Sequence, residues 1–220
     1  MLAVIGGGCY GSYHARQLLK AIRAGRLPPG ERLLVVDRDA SCPAAGELAG
    51  AREVSLVTAD WDAFLRGWLA AEAEPDDRVV PAPLAPHLLW EWLAGELEAD
   101  RVEPPGGWGL PYERSPRAGE LYLSAAGWTC PATCVEPAHC PALHAPRDWD
   151  LGDLIEERAV ALGYRPAVFR CLQVAGGVGG VRVGDLLAAR EGAERDELVL
   201  VATSSRCHAA VGALRAGARR

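Results

Sequence analysis

Lysine is almost missing from this 220-residue chain: Lys20 stands alone against 22 arginines. Together with the wealth of Ala, Gly and Pro, that bias reads as the mark of GC-rich coding and says nothing about chemistry. Long apolar runs are missing too, none approaching the roughly 20 residues needed to cross a bilayer. The opening MLAVIGGGCYGSYH lacks the basic start and small-residue cleavage site of a secretory signal. The expectation is a cytoplasmic protein with no membrane association. An excess of positive charge is absent as well. A net charge of −6 and a sequence pI near 5.4 leave no broad surface for releasing counterions from a phosphate backbone, so nucleic acid is not an expected partner. Three catalytic signatures are also lacking: a nucleophile elbow, a Walker lysine and an H-E-x-x-H pair. What is present, 50% apolar and 24% charged residues, is the composition of a packed domain.

Apolar runs and amphipathic stretches alternate from the first residue. LAVIG at 2–6, RLLVVD at 32–37, EVSLVT at 53–58 and DRVVPA at 77–82 read as strands suited to a buried parallel sheet. Between them, Leu18, Leu19 and Ile22 recur at helical spacing, Asp60 is placed to cap a helix carrying Trp61, Phe64, Leu65 and Trp68, and residues 86–99 read as a fourth helix. The rhythm breaks over 104–150, where eight of the sixteen prolines fall together with Trp108, Trp128 and Trp149. It resumes with a helix from Leu151, a strand over 166–174, a glycine turn at 176–180, a helix over 183–192, a strand over 197–203 and a final helix capped by Ser204 or Ser205. The expected architecture is one α/β domain over 1–220. Its core is a doubly wound, mostly parallel six-stranded sheet with a Pro/Cys/Trp-rich insertion after the fourth βα unit.

Gly6-Gly7-Gly8-Cys9-Tyr10-Gly11 gives G-x-G-x-x-G directly after the first strand and at the opening of the first helix. In that pattern the first glycine allows the turn, the second lets backbone approach a pyrophosphate, and the third lets helix and strand pack. Asp37 ends the second strand, where a carboxylate can accept from a ribose hydroxyl, although 26 residues separate it from Gly11 rather than about 20. On these residues the chain resembles the Rossmann-type NAD(P)-binding domains, well over about residues 1–100 and more loosely beyond. The resemblance implies cofactor contacts from Gly6, Gly8, Cys9, Tyr10, Gly11, Asp37 and Arg38. Asp37 favours NAD by repelling a 2′-phosphate; Arg38 would offset that repulsion, so NADP stays open. An S-adenosylmethionine methyltransferase would place an acid at the same position.

Seven cysteines in a chain read as cytoplasmic shift the expectation from disulfides to metal ligands or redox thiols. Cys130, Cys134 and Cys140 lie within eleven residues of one another in the insertion, with His139 and His144 beside them. Thiolates this close in sequence can converge on zinc or an iron–sulfur cluster, yet C-x3-C-x5-C matches neither a zinc ribbon nor a common ferredoxin run. A fourth ligand has to come from elsewhere. In a 3-2-1-4-5-6 strand order, Cys171 late on the fifth strand and Cys207 after the sixth reach the carboxyl edge of the sheet together, and both rank above Cys9. His139 and His208 are weaker metal candidates, Cys42 is given no role, and His87 is a weak candidate acid–base group. These readings point to an NAD(P)-dependent oxidoreductase with a Cys-ligated metal centre. It would act on an unidentified small-molecule substrate or redox partner and is compatible with a homo-oligomer. A non-catalytic nucleotide sensor with structural zinc and a methyltransferase are the competing readings.

Overall fold

The computed structural model describes residues 1–81, 87–131 and 134–217. In chain order the elements begin β1 (Leu2–Ile5), α1 (Cys9–Arg23), β2 (Leu33–Asp37), α2 (Pro43–Glu47), β3 (Val54–Thr58), α3 (Trp61–Ala71), β4 (Arg78–Val80) and α4 (Leu88–Glu96). There follow β5 (Asp100–Val102), β6 (Tyr112–Arg114), β7 (Leu121–Ser124), β8 (His139–Cys140), β9 (Ala145–Pro146), α5 (Leu151–Ala161) and β10 (Arg165–Arg170). The remainder is β11 (Leu172–Ala175), β12 (Val178–Arg182), α6 (Val183–Gly192), β13 (Leu198–Ser204) and β14 (His208–Arg215). The expected fourth strand and fourth helix each run into residues 82–86, which lie outside the described residues. The chain divides into two compact units, Met1–Leu88 with Leu172–Asp185, and Leu89–Cys171 with Leu186–Arg220.

In the first unit β3, β2, β1 and β4 lie side by side and parallel, followed by β12 and β11 running antiparallel. Every residue of β1 is buried, as expected of a parallel strand covered on both faces. Leu18 and Leu19 of α1 pack on Leu2, Val4, Leu33 and Val35, with Cys42 and Leu48 closing the same core. Asp60 caps α3 as its position suggested, its side chain accepting from the backbone N–H groups of Asp62 and Ala63 at 3.0 and 3.3 Å.

The second unit is built on a mostly antiparallel sheet in the order β10, β13, β14, β7, β6, with β5 also pairing with β14. Among the described residues only β10 and β13 run parallel there. One face packs Leu121, Leu123, Leu200, Ala209, Val211 and Ala213 against Trp108 and the α5 residues Leu151 and Ile155. On the other, the Trp90 indole lies so close to Gly212 that a side chain at 212 would meet the ring.

The doubly wound parallel sheet is therefore not what this sequence forms. The run at 166–174 is broken at Cys171, so that β10 and β11 join different sheets. The segment after Ser204, expected to be helical, is the strand β14: its run HAAVGALR is buried at every residue from 209 to 214 and pairs along both edges. Ala and Leu favour helices only weakly, and burial in a sheet overrides that preference. The segment 104–150, expected to be an irregular insertion, contributes β6 and β7, two strands too short for their alternation to stand out.

Gly11 sits where a Cβ would collide with the carbonyl oxygen of Gly6, which itself takes φ +90°. Replacing Gly11 with Ala is expected to lower stability by about 2 kcal/mol or more in urea unfolding, because backbone on both sides of the clash cannot yield. An unchanged unfolding midpoint would contradict this packing.

Candidate functional site

The reversal between β13 and β14 carries Cys207. Ser205 holds it: its N–H donates to the His208 carbonyl at 2.8 Å, and its Oγ accepts from the N–H groups of Cys207 and His208 at 3.3 and 3.2 Å. Three other segments are tied to the same turn. Leu151 N–H, opening α5, donates to the Arg206 carbonyl, and Ala125 N–H, just past β7, donates to that of Cys207, both at 2.9 Å. Arg206 N–H donates to Glu136 Oε2 at 3.2 Å, which brings in the cysteine-rich loop. Cys171 is fixed alongside, its N–H donating to the Ser204 carbonyl at 2.8 Å.

Within the loop, Cys134 N–H donates to the Pro131 carbonyl at 2.9 Å, and Glu136 N–H donates to Cys134 Sγ at 3.4 Å. Glu136 is held at φ +49°, a left-handed conformation that a carboxylate side chain seldom adopts without such ties. The short β8–β9 hairpin pairs Cys140 with Ala145 and closes the loop through a 2.7 Å bond from Arg147 N–H to the Ala138 carbonyl. Residues 132 and 133 of the C-x3-C spacing lie outside the described residues.

Trp128 and Trp149 meet edge to face, ring centres 6.5 Å apart. Both indole Nε1–H groups are buried with no hydrogen-bond partner; Trp128 neighbours the Cys130 thiol and Trp149 that of Cys207, and each favours the ionised form of the sulfur beside it. Arg147 Nε is buried without an acceptor too, and its guanidinium acts on Cys207.

Burial pushes the Cys130 thiol up, with Cys134, Cys140 and Glu136 adding to the shift and the Trp128 donor opposing it. Burial also pushes the Cys207 thiol up, with the Trp149 donor opposing and Glu136 and Cys130 adding. The Cys171 thiol is pushed up to about 12 by burial and by the Glu136 carboxylate. Burial lowers His208, against the pull of Glu136.

Four of the expected thiols, Cys130, Cys134, Cys140 and Cys207, thus act on one another through Cys130. Cys171 and His208 are linked to them through Glu136. His139 is exposed on β8. Among the described residues no group of three His, Cys, Asp or Glu side chains is gathered tightly enough to hold one ion. A cleft of about 470 Å³ opens beside Cys130, with Tyr112, Trp128 and His208 on its walls. The unpartnered tryptophan N–H groups beside the thiols and the Ser205 turn were not foreseen from the sequence; the sole signal was Trp128 standing two residues before Cys130.

The glycine loop belongs to the first unit. Gly7 N–H donates to Asp37 Oδ2 at 2.6 Å and Asp39 N–H to Asp37 Oδ1 at 2.9 Å, so the Asp37 carboxylate already serves the loop. A side chain on Gly7 would strike the Cys42 sulfur, whereas Gly8, at the start of α1, has open space around it. Among the described residues no side chain caps this helix. Cys9 and Tyr10 are exposed there. Arg38 stacks over Trp61 at 5.4 Å and lies 3.9 Å from Asp60. His87 is buried just ahead of α4.

Residues 85–217 match the family AF_1314_C, described as "Uncharacterized protein, C-terminal domain". The chain belongs to that family. Every residue of the cysteine site falls within the AF_1314_C span, and the glycine loop falls outside it. No curated protein and no solved structure matches the chain. No helix among the described residues is long and apolar enough to cross a membrane.

At pH 8 a thiol near 12 is ionised on the order of one part in ten thousand, and only the thiolate alkylates. In native protein Cys171 is expected to react with N-ethylmaleimide at least about 100-fold more slowly than exposed Cys9, its rate rising about tenfold per pH unit up to pH 10. Comparable labelling of the two in a peptide-level mass-spectrometric time course would contradict that burial.

Proposed function

We propose that this protein carries a thiolate-ligated metal centre, zinc or an iron–sulfur cluster, on Cys130, Cys134, Cys140 and Cys207, and that the centre serves oxidoreductase chemistry. The observation that carries this reading is the set of N–H donors beside sulfur: the buried indoles of Trp128 and Trp149, which have no hydrogen-bond partner and neighbour the Cys130 and Cys207 thiols, and the Glu136 backbone donating to Cys134 Sγ. A neutral thiol is a weak acceptor and is poor reason to bury two indole N–H groups; a metal-bound thiolate is a strong one, and such donors tune its electronics. The donor set is sulfur-only, which suits zinc and iron–sulfur centres and not a hard cation. In this reading the metal draws the sulfurs together and completes the folding of the loop, as is usual where a site does not preexist its ion. Cys171 then remains a half-buried thiol outside the ligand set.

What the chain's own residues do follows from their placement. Trp128, Trp149 and the Glu136 backbone hold the thiolates and withdraw charge from them, Arg147 offsets the negative charge beside Cys207, and the paired indoles keep water from one side. Bound there, a cluster would supply one-electron transfer and zinc would supply a Lewis acid. Free thiols suit a reducing compartment, and the proposal places the protein in the cytoplasm.

A second part of the reading concerns the first unit. Open space at Gly8, an uncapped α1 N-terminus and the two further lone pairs of the Asp37 carboxylate support binding of NAD(P) there, with the pyrophosphate on the helix amides. Gly8→Ala, which meets no protein atom, is expected to leave stability within about 0.5 kcal/mol and to weaken NAD(H) binding about tenfold or more by calorimetry. Equal affinity in the two proteins would remove the nucleotide from the account.

For the metal, protein purified without oxygen is expected to hold near-stoichiometric zinc or iron, and Cys134→Ser to lose most of it while the helical circular-dichroism signal stays. Metal-free wild type, or full occupancy in the variant, would overturn the assignment.

A further inference from the structure

The cleft beside Cys130 has a wall chemistry of its own. Its volume of about 470 Å³ lies in the range of small-molecule sites. Among the described residues no Lys, Arg, Asp or Glu lines it: the walls are Tyr112, Trp128 and Pro111, and the polar groups are Thr129, His208 and the Cys130 thiol. Ser124 also reaches it, but that hydroxyl is spent on its own turn, donating to the Ala126 carbonyl at 3.0 Å and accepting from Ala126 N–H at 2.9 Å. The His208 imidazole and the Thr129 hydroxyl make no hydrogen bond among the described residues.

We propose that this cleft binds an uncharged, planar ring compound bearing a carbonyl or amide group. The reasons are physical. An anionic ligand would give up water here with no cation on the walls to meet it and with the Glu136 carboxylate acting on Cys130 and His208, a cost that neutral ligands escape. Flat aromatic and proline walls favour a ring, and offset stacking on Tyr112 or Trp128 gives it a preferred plane. His208 and Thr129 can both donate and accept, which suits a carbonyl or amide edge. The cleft shares Cys130 and Trp128 with the metal reading, and its other wall residues belong to neither the thiol set nor its N–H donors. If both readings hold, the ring lies next to the thiolate centre, where a substrate of that centre would be expected.

Matched probes of one shape and two charges test the proposal. Nicotinamide and benzamide are neutral; nicotinate and benzoate carry a carboxylate in place of the amide. In saturation-transfer NMR with the full chain, the amides are expected to bind at least about tenfold more tightly than their acids. Thr129→Trp, which adds bulk at an exposed position on the rim, is expected to abolish binding. Tyr112→Ala, which removes a half-exposed ring, is expected to weaken it about fivefold or more, and keeps the test open should the tryptophan variant fail to fold. Tyr112→Ala is expected to hold as much metal as wild type, so that loss of the cleft and loss of the metal are told apart. Acids binding as tightly as amides, no binding by either amide, or amide affinity indifferent to both cleft variants would overturn the proposal.

Discussion

The second unit hangs on one reversal of the chain, Ser205–Arg206–Cys207 between β13 and β14. Seven antiparallel pairs from Leu198–Arg215 to Ser204–Ala209 fix where that turn must fall, because a slip of one residue would exchange the buried and opposite faces of both strands. The turn's carbonyls then receive the start of α5 and the end of β7, and its one free N–H receives Glu136. The cysteine-rich loop is therefore held from a rigid sheet as well as by its own short-range contacts. A stretch with eight prolines and two short strand pairs has little else to order it.

This arrangement also explains the distribution of charge. Glu136, anchored on the Arg206 N–H, acts on Cys130, Cys171, Cys207 and His208 at once. Its carboxylate supplies negative potential to the thiols where Arg147 is the basic side chain seen to act on Cys207. Such a site favours a cation, and a divalent ion or cluster is the kind that thiolates select. The indole donors complete the argument from the other side: N–H groups buried without oxygen or nitrogen acceptors are costly unless the sulfur they face is charged.

Much of the first unit was legible in the sequence. Uninterrupted apolar runs such as LLVVD, glycines at the first turn and an Asp ahead of an amphipathic stretch are local signals, and the strands β1 to β3 and helices α1 and α3 depend on little else. The second unit was hidden because its sheet is made of distant, short and mostly antiparallel pieces. AAVGAL reads as helix by composition and becomes a central strand only because β7, β5 and β13 are there to pair with it. VFRCLQV reads as one strand, and nothing local reveals that Cys171 divides it between two sheets. In the site, the clustering of Cys130, Cys134 and Cys140 was visible in the sequence. The part of Trp128 and Trp149 was not, since it depends on where an indole N–H lies.

The central claim is that sulfur atoms of four cysteines meet at one metal. X-ray absorption at the metal edge of protein loaded and purified without oxygen reads the ligand atoms themselves. The account predicts a first shell of sulfur only, with a metal–sulfur distance of about 2.3 Å for zinc and a coordination number near four. A shell dominated by nitrogen or oxygen near 2.0–2.1 Å, or one with fewer than three sulfurs, would contradict it.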